Sequence, residues 1–312
     1  MYSTAIRLWE PFEIVLTAEK EYENCYRDVC VWVHLKGPGF DKKCFGFWDG
    51  GNIFRIRVTA TRQGLWTYVT GANVNDRGLS GITGAFVGVE WTEEEKRQVP
   101  TRRGIVRASE NGHAMEYADG TPYVMVGDTW WGLASYRYPW EEGEEEHPVG
   151  RDMNMKDMAR QRLRQGFNTV GMIASFPTWA DDGQDAWLML DDDHETTIRN
   201  AWTVDGATRR GARKGTASCK AMHNEGGRPF FFPGKVEGYE QVVPDYDRIN
   251  PEYFKVLDKK IDWLNRQGIT VFMEVLRRDC SRTWKYYYDW PIVYTRYVQY
   301  IFERYQANNC IF

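Results

Sequence analysis

Three residues near the middle of the chain, a carboxylate and two indoles, have side chains that could hold a ligand with hydroxyls and an apolar face. Asp128, Trp130 and Trp131 follow the apolar run Tyr123–Val126, which ends in Gly127-Asp128 and reads as a buried strand. A carboxylate just past a strand accepts hydrogen bonds from two adjacent sugar hydroxyls, and an indole face stacks on the C–H face of a pyranose or furanose. The alternative for Asp128 is local: it caps the following segment with one tryptophan beneath it. Further along, Phe176 and Trp179 either wall the same cleft or belong to the core. In Glu274-Val275-Leu276-Arg277-Arg278, alternation places Glu274 and Leu276 on one face of a strand and Val275 and Arg277 on the other. Glu274 is then a sugar ligand or the ion-pair partner of Arg277 or Arg278, the ion pair being the simpler reading. Asp128, Trp130, Trp131, Phe176, Glu274 and Arg277 form the candidate substrate-binding set.

Other clusters lack the required spacing. Asp191-Asp192-Asp193-His194-Glu195 has neither the glycine turn nor the terminal glutamate of a calcium loop. Arg209, Arg210, Arg213 and Lys214 read as a surface patch, and His223-Asn224-Glu225 is not a zinc helix. Glu141–Glu146 reads as an exposed acidic loop, a flap over the strand ends. A GxSxG nucleophile elbow and a GxGxxG phosphate loop are both absent, so neither metal nor cofactor is expected. A net charge of −4 gives no pull toward nucleic acid, and no run of about 18 uncharged apolar residues suggests a membrane span. The first thirteen residues, with Arg7, Glu10 and Glu13, lack the apolar core of a secretory signal. Cys25, Cys30, Cys44, Cys219, Cys280 and Cys310 form no CxxC pair, which favours free thiols and a cytoplasmic setting. Cys25 with Cys30 or Cys44 is the one pairing to check.

Two sequence grammars carry these residues. Residues 1–91 alternate with period two, as in Val31, Val33, Leu35 and again in Phe54, Ile56, Val58, broken by Asp49–Asn52 and Gln63-Gly64. Several short strands at this spacing fit an immunoglobulin-like β-sandwich. Residues 92–105, with Glu93-Glu94-Glu95-Lys96-Arg97, read as a solvated linker. From 106 to 312 the pattern is strand then helix. Met155, Met158, Ala159 and Leu163 recur at helical spacing up to Gly166, followed by a strand at 168–174. Asn250-Pro251 opens a second helix that stops at Gly268, a third strand spans 269–276, a helix follows Pro291, and Cys310–Phe312 opens a fourth strand. This succession describes parallel βαβ units. Removing the irregular 176–249 excursion from 106–312 leaves 133 residues, enough for four units of about 31 residues, half of a (β/α)8 barrel.

Several phrases resemble the apiosidase-like glycoside hydrolase family. These are Tyr117-Ala118-Asp119-Gly120-Thr121-Pro122-Tyr123 with Val126-Gly127-Asp128-Thr129-Trp130-Trp131, Gly166-Phe167-Asn168, Gly227-Arg228-Pro229-Phe230, and Asn250-Pro251-Glu252-Tyr253-Phe254. Phe47-Trp48-Asp49-Gly50-Gly51 and Gly64-Leu65-Trp66-Thr67-Tyr68 resemble the β-sandwich that often precedes that barrel. The resemblance implies a retaining-type glycosidase acting on polysaccharide or oligosaccharide side chains. Its general acid/base would stand at the end of strand four and its nucleophile at the end of strand seven, about 5–5.5 Å apart. With Phe312 inside the fourth strand, both carboxylates are expected beyond it, and the 312 residues themselves are expected to be inactive. The competing expectation is a non-catalytic carbohydrate-binding or assembly protein. Oligomeric state is left open.

Overall fold

In the computed structural model, which describes residues 4–150, 152–175, 224–231, 245–275 and 290–312, the period-two segments become seven strands. They are β1 (Thr4–Arg7), β2 (Phe12–Thr17), β3 (Val31–Gly37), β4 (Phe40–Trp48), β5 (Ile53–Val58), β6 (Gly64–Ala72) and β7 (Thr83–Val89), with a short helix α1 (Cys25–Asp28) between β2 and β3. Hydrogen bonding runs unbroken in the order β1-β7-β6-β3-β4-β5-β2. The two edge strands are consecutive in sequence, joined only by Leu8–Pro11. A flat seven-stranded sheet would be about 29 Å wide, whereas that connection reaches at most about 17 Å. The sheet therefore has to curl until its edges approach. Instead of two sheets with separate hydrogen bonding, one sheet folds back on itself.

The bend lies in β4. Residues 40–46 pair with β3, and Phe47 and Trp48 pair with β5. Gly46 stands at this corner, where an added Cβ would lie 2.4 Å from the Arg55 carbonyl oxygen. Inward residues fill the fold: Val31, Val33, Leu35, Phe54 and Ile56 are buried, and Trp66 stacks parallel to Phe86 with centroids 6.1 Å apart.

Residues 92–105 contain a helix, α2 (Glu93–Gln98), and a 3-10 turn at Pro100–Arg103. Thr92 and Glu95 form a reciprocal capping box, and Arg97 pairs with Glu94 one turn back. Of the charges in this run, Arg97 and Glu94 pair within the helix, while Lys96 also reaches Glu90 and Glu95 reaches Arg7 outside it. A small antiparallel sheet follows, made of β8 (Val106–Ala108), β9 (Met115–Tyr117) and β10 (Pro122–Tyr123).

Four parallel strands, β11 (Gly127–Thr129), β12 (Thr169–Ile173), β15 (Thr270–Glu274) and β16 (Cys310–Ile311), form the second main sheet in sequence order. The connections carry α3 (Met155–Arg164), α4 (Pro251–Arg266) and α5 (Trp290–Tyr305). Within the excursion expected to be irregular, β13 (Phe230–Phe231) and β14 (Asp245–Ile249) pair antiparallel. Local signals set the helix ends. Asn154 and Asn250 cap α3 and α4, while Gly166 and Gly268 take the positive φ that ends each helix. The expected first strand is displaced. Val124–Val126 are exposed, and β11 begins at Gly127 because Asn168 fastens the run before it, donating to Val124 O and accepting from Val126 N. Cys25, Cys30, Cys44 and Cys310 are free thiols.

The two sheets share interior. Tyr26 and Phe47 of the first unit belong to the same buried cluster as Leu257, Ile261, Ile301 and Met273. Beside them lies an ion network. Arg304, fully buried on α5, donates to Asp258 of α4 and to Asp49 of the β4–β5 turn, and Arg57 of β5 also reaches Asp258.

Candidate functional site

Register divides the residues of the parallel sheet between two faces. Asp128, Val170, Val271 and Cys310 are level partners, as are Thr129, Gly171, Phe272 and Ile311. Val170, Met172, Val271 and Met273 belong to the cluster that also contains residues of α3, α4 and α5, so this is the helix-facing side. By alternation, Thr129, Phe272 and Glu274 occupy the opposite face. Glu274 is also at the C-terminal end of β15, level with Ile173. Parallel-strand proteins build their sites at such ends.

The expected ligands Asp128 and Trp130 are placed differently. Asp128 is level with Val170, three residues short of the end of β12. Its Oδ2 accepts from Arg162 Nε at 2.6 Å and Trp130 Nε1 at 3.1 Å, and its Oδ1 accepts from Thr129 N. Partial burial works to raise its pKa, but the bonds from Trp130 and Arg162 outweigh it and hold the carboxyl below the usual range. Trp130 is buried and stacks on Tyr138 at 5.3 Å. Asp128 and Trp130 thus tie β11 to α3. Trp131, half-buried, stands two residues past the end of β11.

The ends of β12 and β15 are pinned from the helices. Tyr297 of α5 shares a 2.5 Å hydrogen bond with Ser175 and donates to Val275 O at 2.9 Å. Tyr253 of α4 donates to Ala174 O, and Ala174 N donates to Glu274 O. The backbone carrying Glu274 is therefore fixed on both sides. The half-buried carboxylate of Glu274 has no hydrogen bond or ion pair among the described residues. Phe176 and Arg277 lie outside the described residues, as do Trp179, Arg278, the acidic run at 191–195, the basic cluster at 209–214 and His223. The expected ion pair of Glu274 with Arg277 or Arg278 therefore stays an expectation. Among the described residues, no group of three His, Cys, Asp or Glu side chains could hold a metal.

Residue types gave no signal for several contributors. Tyr253 stands in the phrase Asn250–Phe254 with no role attached, and Tyr297 belongs to no motif. Asn224 holds the excursion in place by donating to Ala134 O and Tyr253 O, a role set wholly by tertiary contact. The acidic loop is not a free flap. Glu142 pairs with Lys259, Glu144 with Lys156 and Arg160, and Glu146 with Arg164.

Residues 109–312 match the apiosidase-like catalytic domain family, and residues 5–73 match a domain of unknown function, DUF5060. Among solved structures, the chain is similar to one provisionally described as a glycoside hydrolase from Bacteroides vulgatus ATCC 8482. It is 19% identical with a TM-score of 0.58, and the alignment covers 99% of this chain and 48% of that one. This likeness concerns the fold, and the chain spans about half the length of that structure. A family 39 glycoside hydrolase from Bacteroides cellulosilyticus WH2 aligns at 10% identity over 87% of this chain and 49% of its own, with a TM-score of 0.22, too slight to carry an argument. No curated protein matches the sequence. No helix among the described residues is long and apolar enough to cross a membrane.

Proposed function

The chain belongs to the apiosidase-like catalytic domain family, by a match over residues 109–312, and on that basis we propose that it is part of a glycoside hydrolase. Its substrates are polysaccharide or oligosaccharide side chains. In this reading residues 1–91 are an accessory β-sandwich of immunoglobulin-like ancestry and 92–105 join it to the barrel. Residues 106–312 supply the first four strands of a (β/α)8 barrel, with 176–249 inserted between the second and third. The reaction is hydrolysis by two carboxylates borne on the fourth and seventh strands of the whole barrel, one protonating the leaving oxygen and the other forming and releasing a glycosyl-enzyme intermediate.

The observation that carries this reading is Glu274, a carboxylate without a partner among the described residues, on a braced strand end and on the face away from the helices. It binds substrate by accepting from sugar hydroxyls. Trp131, two residues past β11, and Phe176 and Arg277, which follow β12 and β15 in the sequence, are the other proposed substrate contacts. Asp128 and Trp130 act from behind as positioning residues. In the whole protein, Glu274→Gln exchanges charged for neutral hydrogen bonds to substrate, worth about 1.5–3 kcal/mol when lost. It should lower kcat/KM on a cleaved glycoside by about 10- to 100-fold. A value equal to wild type would remove Glu274 from the site.

A further inference from the structure

At the opposite ends of the parallel strands, between the first unit and the second, lies a cavity of about 340 Å³. It is lined by Trp9 and Pro11 from the connection between the sheet edges, by Glu13 of β2, by Trp91 and Arg102, and by Asp262, Arg266 and Asn308. Its volume falls within the range of small-molecule sites, about 300–1,000 Å³. Nothing proposed for Glu274 uses it.

Trp9 marks it as more than a packing gap. Among the described residues Trp9 is the only non-glycine with positive φ, at 65°. The left-handed region disfavours any residue with a Cβ, and glycine is its natural occupant. Such outliers persist where surrounding structure enforces them, and they cluster at binding sites. Here the indole rests against Gly104, so closely that a Cβ there would lie 2.6 Å from the Trp9 ring. Two unusual backbone positions thus cooperate to hold one indole at the cavity wall. The second indole, Trp91, is fixed by its Nε1 donating to Leu8 O at 2.8 Å and by the Arg102 guanidinium 4.2 Å above its ring.

The polar lining is balanced in charge, with Glu10, Glu13 and Asp262 against Arg57, Arg102 and Arg266. Glu13 and Arg57 already satisfy each other at 3.0 Å, whereas Asp262 spends one oxygen on Asn308 Nδ2 at 2.7 Å. A cavity with balanced formal charge, the Trp9 indole at its wall and both donors and acceptors suits a ligand with an apolar face and a ring of hydroxyls. We infer that this cleft is a second, non-catalytic carbohydrate site that takes one neutral monosaccharide unit, with Trp9 as its stacking platform. It stands independently of the function proposed for the strand ends.

The test is isothermal titration of the 312-residue chain with D-glucose, D-galactose, D-xylose and L-arabinose, and with D-galacturonate as the charged control. At least one neutral sugar should bind, more tightly than galacturonate. Trp9→Gly keeps the left-handed backbone and removes the indole, so it should weaken binding about tenfold or more, and its melting curve checks that it folds. Asp262→Asn retains the acceptor for Asn308 and should also weaken binding, a second reading should Trp9→Gly fail to fold. Binding of none of the four neutral sugars, tighter binding of galacturonate, or wild-type affinity in folded Trp9→Gly or in Asp262→Asn would each overturn the proposal.

Discussion

Arg304 is fully buried, and its guanidinium reaches Asp258 at 2.7 and 2.8 Å, Asp49 at 2.9 Å and the Tyr300 hydroxyl at 2.8 Å. Removing one member of a buried ionic set costs more than the set contributes, because the remaining charges lose their compensation. Arg304→Met should therefore lower the unfolding free energy by about 3–5 kcal/mol, read from urea titration. Burial alone would raise the Asp258 pKa, but Arg304 and Arg57 hold the carboxyl well below the usual range. Its folded value is lower than its unfolded one, so its stabilisation is complete above about pH 4 and fades as the pH falls further. The gap between wild type and Arg304→Met should narrow below that pH. Lys260 behaves in the opposite sense. It has no exposed surface, donates to Leu133 O and Ser135 O, and burial pushes its pKa down to about 8. Between about 8 and 10.4 the unfolded chain binds the proton that the folded one has released. Lys260 therefore adds stability as pH rises through that window. Subtracting the pH–stability curve of Lys260→Met from that of wild type should isolate a rising limb there, and a flat difference would contradict it.

Among the elements, those defined by neighbours in sequence were legible, and those defined by distant partners were not. Asn250-Pro251 and Gly268 bound α4 by capping chemistry within one turn, and Cys310-Ile311 joins β15 in parallel as its apolar opening suggested. The start of β11 was misjudged because the apolar run Tyr123–Val126 looks like strand, yet Asn168, over forty residues away, decides where pairing begins. Within residues 92–105 the Thr92–Glu95 capping box is a local signal for the helix α2, which the charge run around it obscures. Alternation put Glu274 and Val275 on opposite faces of the strand, whereas it could not foresee that Arg162 would claim Asp128. The bend in β4 gives a sharp test of the element itself. Gly46→Ala would force its Cβ into the Arg55 carbonyl and the Ile56 side chain. It should destabilise by about 1–3 kcal/mol, the cost of overpacking, and a melting temperature at or above wild type would contradict the corner geometry.

The whole molecule is joined by what its two sheets share. Tyr300 of α5 meets Tyr26 and Phe47 edge-on, and Gln306 donates to Phe45 O, so the first unit is built into the second. A shared apolar interior with a buried ionic set at its border predicts one calorimetric unfolding transition, and two resolved transitions would show that the units fold separately. The molecule presents Glu274 at one end of the parallel strands and the Trp9 cleft at the other. The reading of the first end as a carbohydrate site is tested most directly by a crystal structure of the whole protein with a bound oligosaccharide. The expected result is a sugar hydroxyl within hydrogen-bond distance of the Glu274 carboxylate. An oligosaccharide bound elsewhere, with Glu274 paired to another side chain, would contradict it.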